Sequence, residues 1–193
     1  MELNDQFWEQ RYQENNTGWD IGYASTPIVD YLKTLKNKEL KILIPGCGNG
    51  YEAEWAHQNG FLNVHVLDYA ASAIANFKTR YPHFNPAHLH QQDFFEHQHT
   101  YDIIIEQTFF CAIDPSLRKK YALKMHELLN DNGLLVGVLF DTEFVGGPPF
   151  GGNKEEYTSY FSSLFEFIRF EKCRNSIIAR AGNELFMELK KIK

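Results

Sequence analysis

Three glycines at alternate positions, Gly46, Gly48 and Gly50, join a short apolar run (residues 40–45) to a helix-like stretch. Eighteen residues after Gly50, a second apolar run (64–67) ends on the acid Asp68. Glycines let a backbone take positive φ and pass close beneath a ligand. The helix start that follows offers N–H groups without partners inside the helix. Strand, glycine turn, helix, strand and acid make the mononucleotide-binding half of a doubly wound α/β sheet, with the acid placed to accept both hydroxyls of a ribose. Against this stands a plainer reading, a glycine turn that only joins a strand to a helix.

Spacing narrows the ligand. A dinucleotide fingerprint reads G-x-G-x-x-G, its last glycine packing helix on strand. Here the turn is G-x-G-x-G followed by Tyr51 and Glu52, the commoner form in enzymes that use S-adenosylmethionine (SAM), which has no pyrophosphate to seat on a helix dipole. Asp93-Phe94-Phe95 ends a third strand. There a carboxylate suits the exocyclic amine of adenine and a ring can flank it, or the two make a polar loop over a buried Phe. Glu106 and Gln107, at the tip of a fourth strand, are the only polar candidates beside a transferring methyl group, with a plain strand-end carboxylate as the other reading of Glu106. No Ser/His/Asp or Cys/His constellation is present. His88-Leu89-His90 and His97-Gln98-His99 lack a cysteine or carboxylate cluster to complete a site, so no metal is expected. Cys111 lies in an apolar segment and reads as core rather than nucleophile.

Those residues need a frame. Residues 4–14 read as an amphipathic helix whose Trp8 and Tyr12 are i, i+4 neighbours, with Trp19 in the loop beyond. These three aromatics either pack the helix onto the domain or cover the ligand as a lid. Thr26 as N-cap and Pro27 in the first turn open a second helix. Helices are expected over 51–58 and 70–80, and strands over 87–92 and 101–107. Asp114-Pro115 starts a helix that stops at Asn132-Gly133. A strand over 134–140, a Gly/Pro-rich loop over 141–152, a helix over 154–164 and a hairpin of strands 165–173 and 184–192 complete the chain. The expected fold is α/β and Rossmann-like. Its mostly parallel seven-stranded sheet ends in an antiparallel hairpin, with helices on both faces and an N-terminal helical lid. Residues 1–193 read as one domain, 1–37 holding the lid and first helices and 38–193 the core.

The chain has 193 residues and a net charge of −6. No basic stripe is present, so nucleic acid is not expected as a partner. No run of about twenty apolar residues suggests a membrane span, and the N-terminal sixteen residues lack the apolar stretch of a signal peptide. Three cysteines in apolar contexts point to reduced thiols and a cytoplasmic protein. Nothing signals an oligomer; a monomer satisfies the sequence.

Laid end to end, the motifs resemble those of the thiopurine S-methyltransferase superfamily, above all its plant-type halide/thiol methyltransferases. The resemblance rests on Phe7-Trp8-Glu9-Gln10-Arg11-Tyr12, Trp19-Asp20-Ile21-Gly22 before Thr26-Pro27, and Pro45-Gly46-Cys47-Gly48-Asn49-Gly50. It continues through Asp93-Phe94-Phe95, Phe110-Cys111-Ala112-Ile113-Asp114-Pro115 with Arg118, and Gly147-Pro148-Pro149-Phe150. It implies a class I methyltransferase fold with SAM as cofactor and S-adenosylhomocysteine as product. Trp8, Tyr12 and Trp19 would cover the cofactor, and Gly46, Cys47 and Gly48 would pass under its methionine part. Asp68 with Tyr69 would hold the ribose, and Asp93 and Phe94 the adenine, while Gln107 would lie near cofactor and acceptor. Four positions depart from the pattern. Tyr12 stands where the plant enzymes usually have Trp, and Gln107 where Arg or Tyr is usual. Phe140 and Phe150 replace Tyr, which removes phenolic donors from the acceptor pocket.

The activity expected is methyl transfer by in-line displacement to a small soft nucleophile: a thiol or bisulfide, a thiopurine-like thiol, or a halide. Such nucleophiles need no strong base. The alternatives are O-methylation of a small organic acceptor and a SAM-binding module without turnover. A nicotinamide oxidoreductase would need the absent G-x-x-G spacing. Amino methylation of adenine or glutamine would need an Asn/Asp-Pro-Pro-aromatic motif where Glu106-Gln107-Thr108-Phe109 stands.

Overall fold

The computed structural model describes residues 3–193. Its seven strands are β1 (Ile42–Pro45), β2 (Val64–Asp68), β3 (Leu89–Gln91), β4 (Tyr101–Gln107), β5 (Leu129–Phe140), β6 (Phe165–Lys172) and β7 (Glu184–Lys191). They form one sheet in the order β3-β2-β1-β4-β5-β7-β6. The first five strands are parallel, and β7 runs antiparallel between β5 and β6. Strand order reverses between β1 and β4, so a crevice opens at their C-terminal ends, where α/β sheets bind ligands.

The apolar runs follow from burial on both faces. All of β1 and β2 is buried. Alternate residues serve opposite layers: Leu43, Ile104 and Leu135 pack with Tyr121 and Met125 of α5 (Arg118–Leu128) and Phe161 of α6 (Lys154–Phe161). Ile42, Ile44, Ile103 and Ile105 pack on the other side. Their partners there are Ile28 and Leu32 of α2 (Thr26–Thr34), Ala53 and Ala56 of α3 (Tyr51–Gln58) and Phe77 of α4 (Ala71–Arg80). Helix α2 therefore packs into the core, whereas α1 (Asp5–Gln13) and the segment 14–25 overlie the crevice.

Several boundaries differ from expectation. Ser25, not Thr26, is the N-cap of α2, without a side-chain capping bond, while its N–H donates to Glu52 at 2.8 Å. Helix α5 ends at Leu128 rather than at Asn132-Gly133. Leu129, buried in the core, already pairs with Tyr101, and the register then shifts to Ile103 opposite Leu134. Asn132, with φ 62°, belongs to this irregular stretch of strand, not to a helix cap. Strand β3 is only three residues long because Pro86–His88 form a 3-10 turn. No helix among the described residues is long and apolar enough to cross a membrane.

The β2–β3–β4 edge gathers five histidines. His65 and His90 share a ring-to-ring hydrogen bond of 3.0 Å, and His88 stacks on His65. His97, with no exposed surface, bonds Gln92 on one side and the Tyr101 hydroxyl at 2.7 Å on the other, while His99 packs beside it. Among the described residues no three such groups converge as metal ligands. Burial, aided by the neighbouring imidazoles, holds His65 and His97 down to about 3, and burial lowers His88 and His90 as well. The native state thus holds these rings neutral, whereas the unfolded chain takes up their protons near pH 6.5. The sign is fixed: stability is full above about pH 6.5 and lost as pH falls from there toward 3. Thermal melts at pH 7.5, 6.5, 5.5 and 4.5 should show Tm falling below pH 6.5, with a shallower fall in His65→Asn.

Candidate active site

A cavity of about 1060 Å³ fills the crevice, at the upper end of small-molecule sites. Its floor comes from strand ends: Gly46 after β1, Asp68 and Tyr69 at β2, Gln92, Asp93 and Phe94 after β3, and Thr108 and Phe109 after β4. Trp8, Tyr12 and Trp19 line its roof. The sequence-predicted residues Trp8, Tyr12, Trp19, Gly46, Asp68, Tyr69, Asp93 and Phe94 thus share one wall system. Cys47, Gly48, Glu106 and Gln107 do not line the cavity.

The glycine turn is built as its residue types require. Gly46, Gly48 and Gly50 all have positive φ (59°, 53° and 69°). A Cβ on Gly46 would lie 2.4 Å from the Phe109 ring, and one on Gly48 would lie 3.1 Å from the Tyr12 hydroxyl. The Gly48 N–H donates to Asp68 Oδ2 at 2.9 Å, and the Ala70 N–H to Asp68 Oδ1 at 3.0 Å. Burial raises the Asp68 carboxyl, and these backbone N–H groups oppose that rise. Each carboxylate oxygen has further lone pairs for a ligand hydroxyl. Asp93 caps the turn Phe94–Glu96 through a 2.8 Å bond from the Phe95 N–H. Phe94 meets Phe109 edge-on at 5.1 Å.

The roof is fastened at several points. Trp19 packs edge-on against Trp8 and Tyr12, with centroids 5.5 and 5.7 Å away. Glu9 of α1 reaches the start of α4, accepting from the Ser72 N–H at 2.9 Å and from its hydroxyl. This pairing holds the Glu9 carboxyl below the usual range. Asp20 accepts from the side chain of Asn49 in the glycine turn. Arg180, in the loop between β6 and β7, donates to the Trp19 carbonyl at 3.1 Å.

Glu106 is corrected by its surroundings. It points away from the cavity with no exposed surface. One oxygen accepts from the N–H groups of Phe109 (2.8 Å) and Phe110 (2.9 Å), the other from the Tyr121 hydroxyl. Burial pushes its carboxyl up to about 7 despite these donors. It fastens the turn after β4 and has no line to a substrate proton. Gln107 lies on the opposite face of β4, its Oε1 buried without a protein partner. Thr108 takes φ 57°, an outlier for a β-branched residue, with its hydroxyl on the Gln107 carbonyl at 2.7 Å. This conformation turns the chain so that Phe109 and Cys111 face the cavity.

The outer end is apolar: Cys111, Ile113, Leu117, Phe140, Phe144 and Pro149 line it. Burial pushes the Cys111 thiol up to about 12, and its Sγ donates to the Thr108 carbonyl at 3.3 Å. Arg180 brings positive charge to this wall, 3.7 Å from the buried carboxylate of Glu184. Sequence reasoning missed Arg180 because a lone arginine in a hairpin loop carries no motif. The buried Asp68, the half-buried Asp93 and aromatic faces around one cavity, over glycines with little room for a Cβ, fit a cationic adenosine-bearing sulfonium.

Residues 3–188 match the model of the thiopurine S-methyltransferase family. The chain belongs to this family. Thiocyanate methyltransferase 1 of Arabidopsis thaliana is 32% identical over 193 residues, covering 96% of this chain and 84% of the relative. A thiopurine S-methyltransferase of Acinetobacter baylyi is 25% identical over 85% of this chain and 86% of its own length. Among solved structures, the 1,6-didemethyltoxoflavin-N1-methyltransferase of Burkholderia thailandensis superposes with a TM-score of 0.77 at 14% identity, over 98% of this chain and 87% of that one. The N-methyltransferase NodS of Bradyrhizobium japonicum gives 0.69 at 14% identity over the whole of both chains. Both share the class I methyltransferase fold. As a thiopurine S-methyltransferase family member, the chain is a SAM-dependent methyltransferase acting on a small-molecule acceptor. Replacing Glu9 by Gln should leave the fold intact but loosen the roof. Amide exchange across α1 should quicken about tenfold, and S-adenosylhomocysteine should bind several-fold more weakly by calorimetry.

Proposed function

We propose that this family member methylates a small anionic soft nucleophile, an organic thiolate foremost, with bisulfide, thiocyanate and halide as lesser acceptors. The observation that carries this reading is the acceptor end of the cavity. It is apolar and aromatic and holds the positive charge of Arg180, and the carboxylate there, the exposed Asp114, is a poor base: hydrogen bonds from Ser116, its N–H at 2.8 Å among them, hold it below the usual range. Such a wall suits a nucleophile that arrives already ionised. An alcohol or phenol acceptor would need a proton taken from it, and the buried carboxylate nearest by chain position, Glu106, has both oxygens committed.

SAM, when bound, supplies an activated methyl carbon on a sulfonium. In the assignment we propose, Asp68 takes the ribose hydroxyls, Asp93 and Phe94 the adenine, and Gly46 to Gly48 the methionine part. Gln107 is kept as a neighbour of the methionine part, reached by a small shift of its unpartnered amide. Trp8, Tyr12 and Trp19 close over the site and exclude water. The acceptor's electron pair forms the new sulfur–carbon bond as the sulfonium–carbon bond breaks, leaving a neutral thioether on the cofactor side. The protein's contribution is alignment and dryness, which supply much of such a barrier reduction. The apolar outer wall and three buried free thiols also support an organic thiol in a reducing, cytoplasmic setting.

The test is release of S-adenosylhomocysteine from SAM with aromatic thiols, bisulfide, thiocyanate, iodide and a catechol in parallel. Turnover is expected with the thiols and not with the catechol. Across aromatic thiols of graded acidity, the apparent pKa in kcat/KM should track the thiol's own. A value that stays constant across the series would reveal a base on the enzyme and sink the proposal. Arg180→Met should lower kcat/KM for anionic acceptors about tenfold, which corresponds to ~1.4 kcal/mol. Asp68→Ala should remove measurable S-adenosylhomocysteine binding.

A further inference from the structure

Arg118 opens α5 and is the largest fully buried side chain, 2% exposed, yet it does not line the cavity. Its guanidinium donates to Glu156 Oε1 at 2.7 Å, to the Gly151 carbonyl at 2.8 Å and to the Phe150 carbonyl at 3.3 Å. It lies 4.8 Å from the centre of the Phe110 ring. Its Nε has no partner. Burying a cation is costly, and apolar residues of similar volume often serve stability as well or better. The place of Arg118 therefore calls for a reason other than stability, and its contacts indicate one.

Both main-chain carbonyls belong to the loop 141–152, whose Phe144, Pro148 and Pro149 form part of the acceptor wall. The loop is closed at its base by a bridge between Thr142 and Gly152 and tied to the β4 turn by the Phe150 N–H on the Cys111 carbonyl at 2.7 Å. Between these ties, the fork of Arg118 is the charged group that grips the loop's end. Glu156 aims that fork from α6, itself one-third exposed. We propose that Arg118 is a positioning residue for the acceptor: it fixes the 141–152 loop and so sets acceptor affinity, touching neither acceptor nor cofactor. This rests on the reading above that the loop borders the acceptor end. A planar fork that sets Nη1 on Glu156 and Nη2 on two successive carbonyls cannot be replaced by the single point charge of lysine.

The experiment compares Arg118→Lys, Arg118→Met and Glu156→Gln with the wild type. The readouts are acceptor KM, kcat, S-adenosylhomocysteine Kd, and amide exchange over residues 143–150. In Arg118→Lys, acceptor KM should rise about tenfold while kcat and Kd stay within about twofold. Glu156→Gln, which keeps Arg118, its two carbonyls and an amide oxygen in place of the paired carboxylate, should raise KM about threefold, and a thermal melt of each variant separates misfolding from mispositioning. Amide exchange over 143–150 should quicken about tenfold in Arg118→Met. Unchanged acceptor KM in folded variants, or Kd weakening in step with KM, would overturn the proposal. Should the wild type turn over none of the acceptors, the functional reading fails alone. Exchange over 143–150 then decides the positioning role, faster exchange at constant Kd upholding it and unchanged exchange refuting it.

Discussion

The bond from the Gly48 N–H to Asp68 ties the ends of two neighbouring parallel strands together, and the cavity depends on it. The glycine turn alternates three positive-φ glycines with Cys47 and Asn49, and its middle needs a tie to the neighbouring strand. Asp68 supplies the constraint by accepting from Gly48 and Ala70 at once. Burial pushes this carboxyl up, and the fixed backbone N–H groups oppose that in a low-dielectric setting. The roof then closes on a surface already set, with Tyr12 resting against Gly48 and Asp20 bound to Asn49.

The two halves of the crevice divide the work. The β1–β3 ends carry acids and glycines, whereas the β4 and β5 ends carry aromatics, a strained threonine and a proline-rich loop. Methyl transfer from a sulfonium asks for this asymmetry: one side recognises a polar nucleoside and the other keeps a charged nucleophile away from water. Two ionisable groups that could disturb the second side are withdrawn from it. Glu106 is locked into the turn it supports, and Arg118 is enclosed behind the loop it holds.

Much of this arrangement was legible in the chain because it rests on local chemistry. The apolar runs at 42–45, 64–67 and 103–105 could only be strands buried on both faces, and Asp114-Pro115 could only open a helical turn. Aromatics, glycines and acids that gather at one cavity were set at strand ends, in the N-terminal helix or, for Trp19, in the loop beyond it. Illegible were facts that depend on which way a strand-end side chain turns. Glu106 and Gln107 alternate across β4, so Glu106 goes into the α5 layer and Gln107 to the opposite face, and neither lines the cavity. Asn132-Gly133 has the local chemistry of a helix stop, but the pairing of Leu129 with Tyr101 ends α5 four residues earlier. Arg180 and Arg118 gain their meaning only from segments distant in sequence, Trp19 and the 150–151 carbonyls.

Cys111 sits in the cavity wall of a methyltransferase whose cofactor is a potent alkylating agent. A thiolate there would compete with every incoming acceptor and, once alkylated, would plug the pocket with a thioether that nothing could remove. Burial, with the Glu106 carboxyl near it, pushes the thiol up to about 12, and the sulfur donates to the Thr108 carbonyl. The left-handed twist of Thr108 turns that carbonyl toward the sulfur and gives the protonated thiol its acceptor.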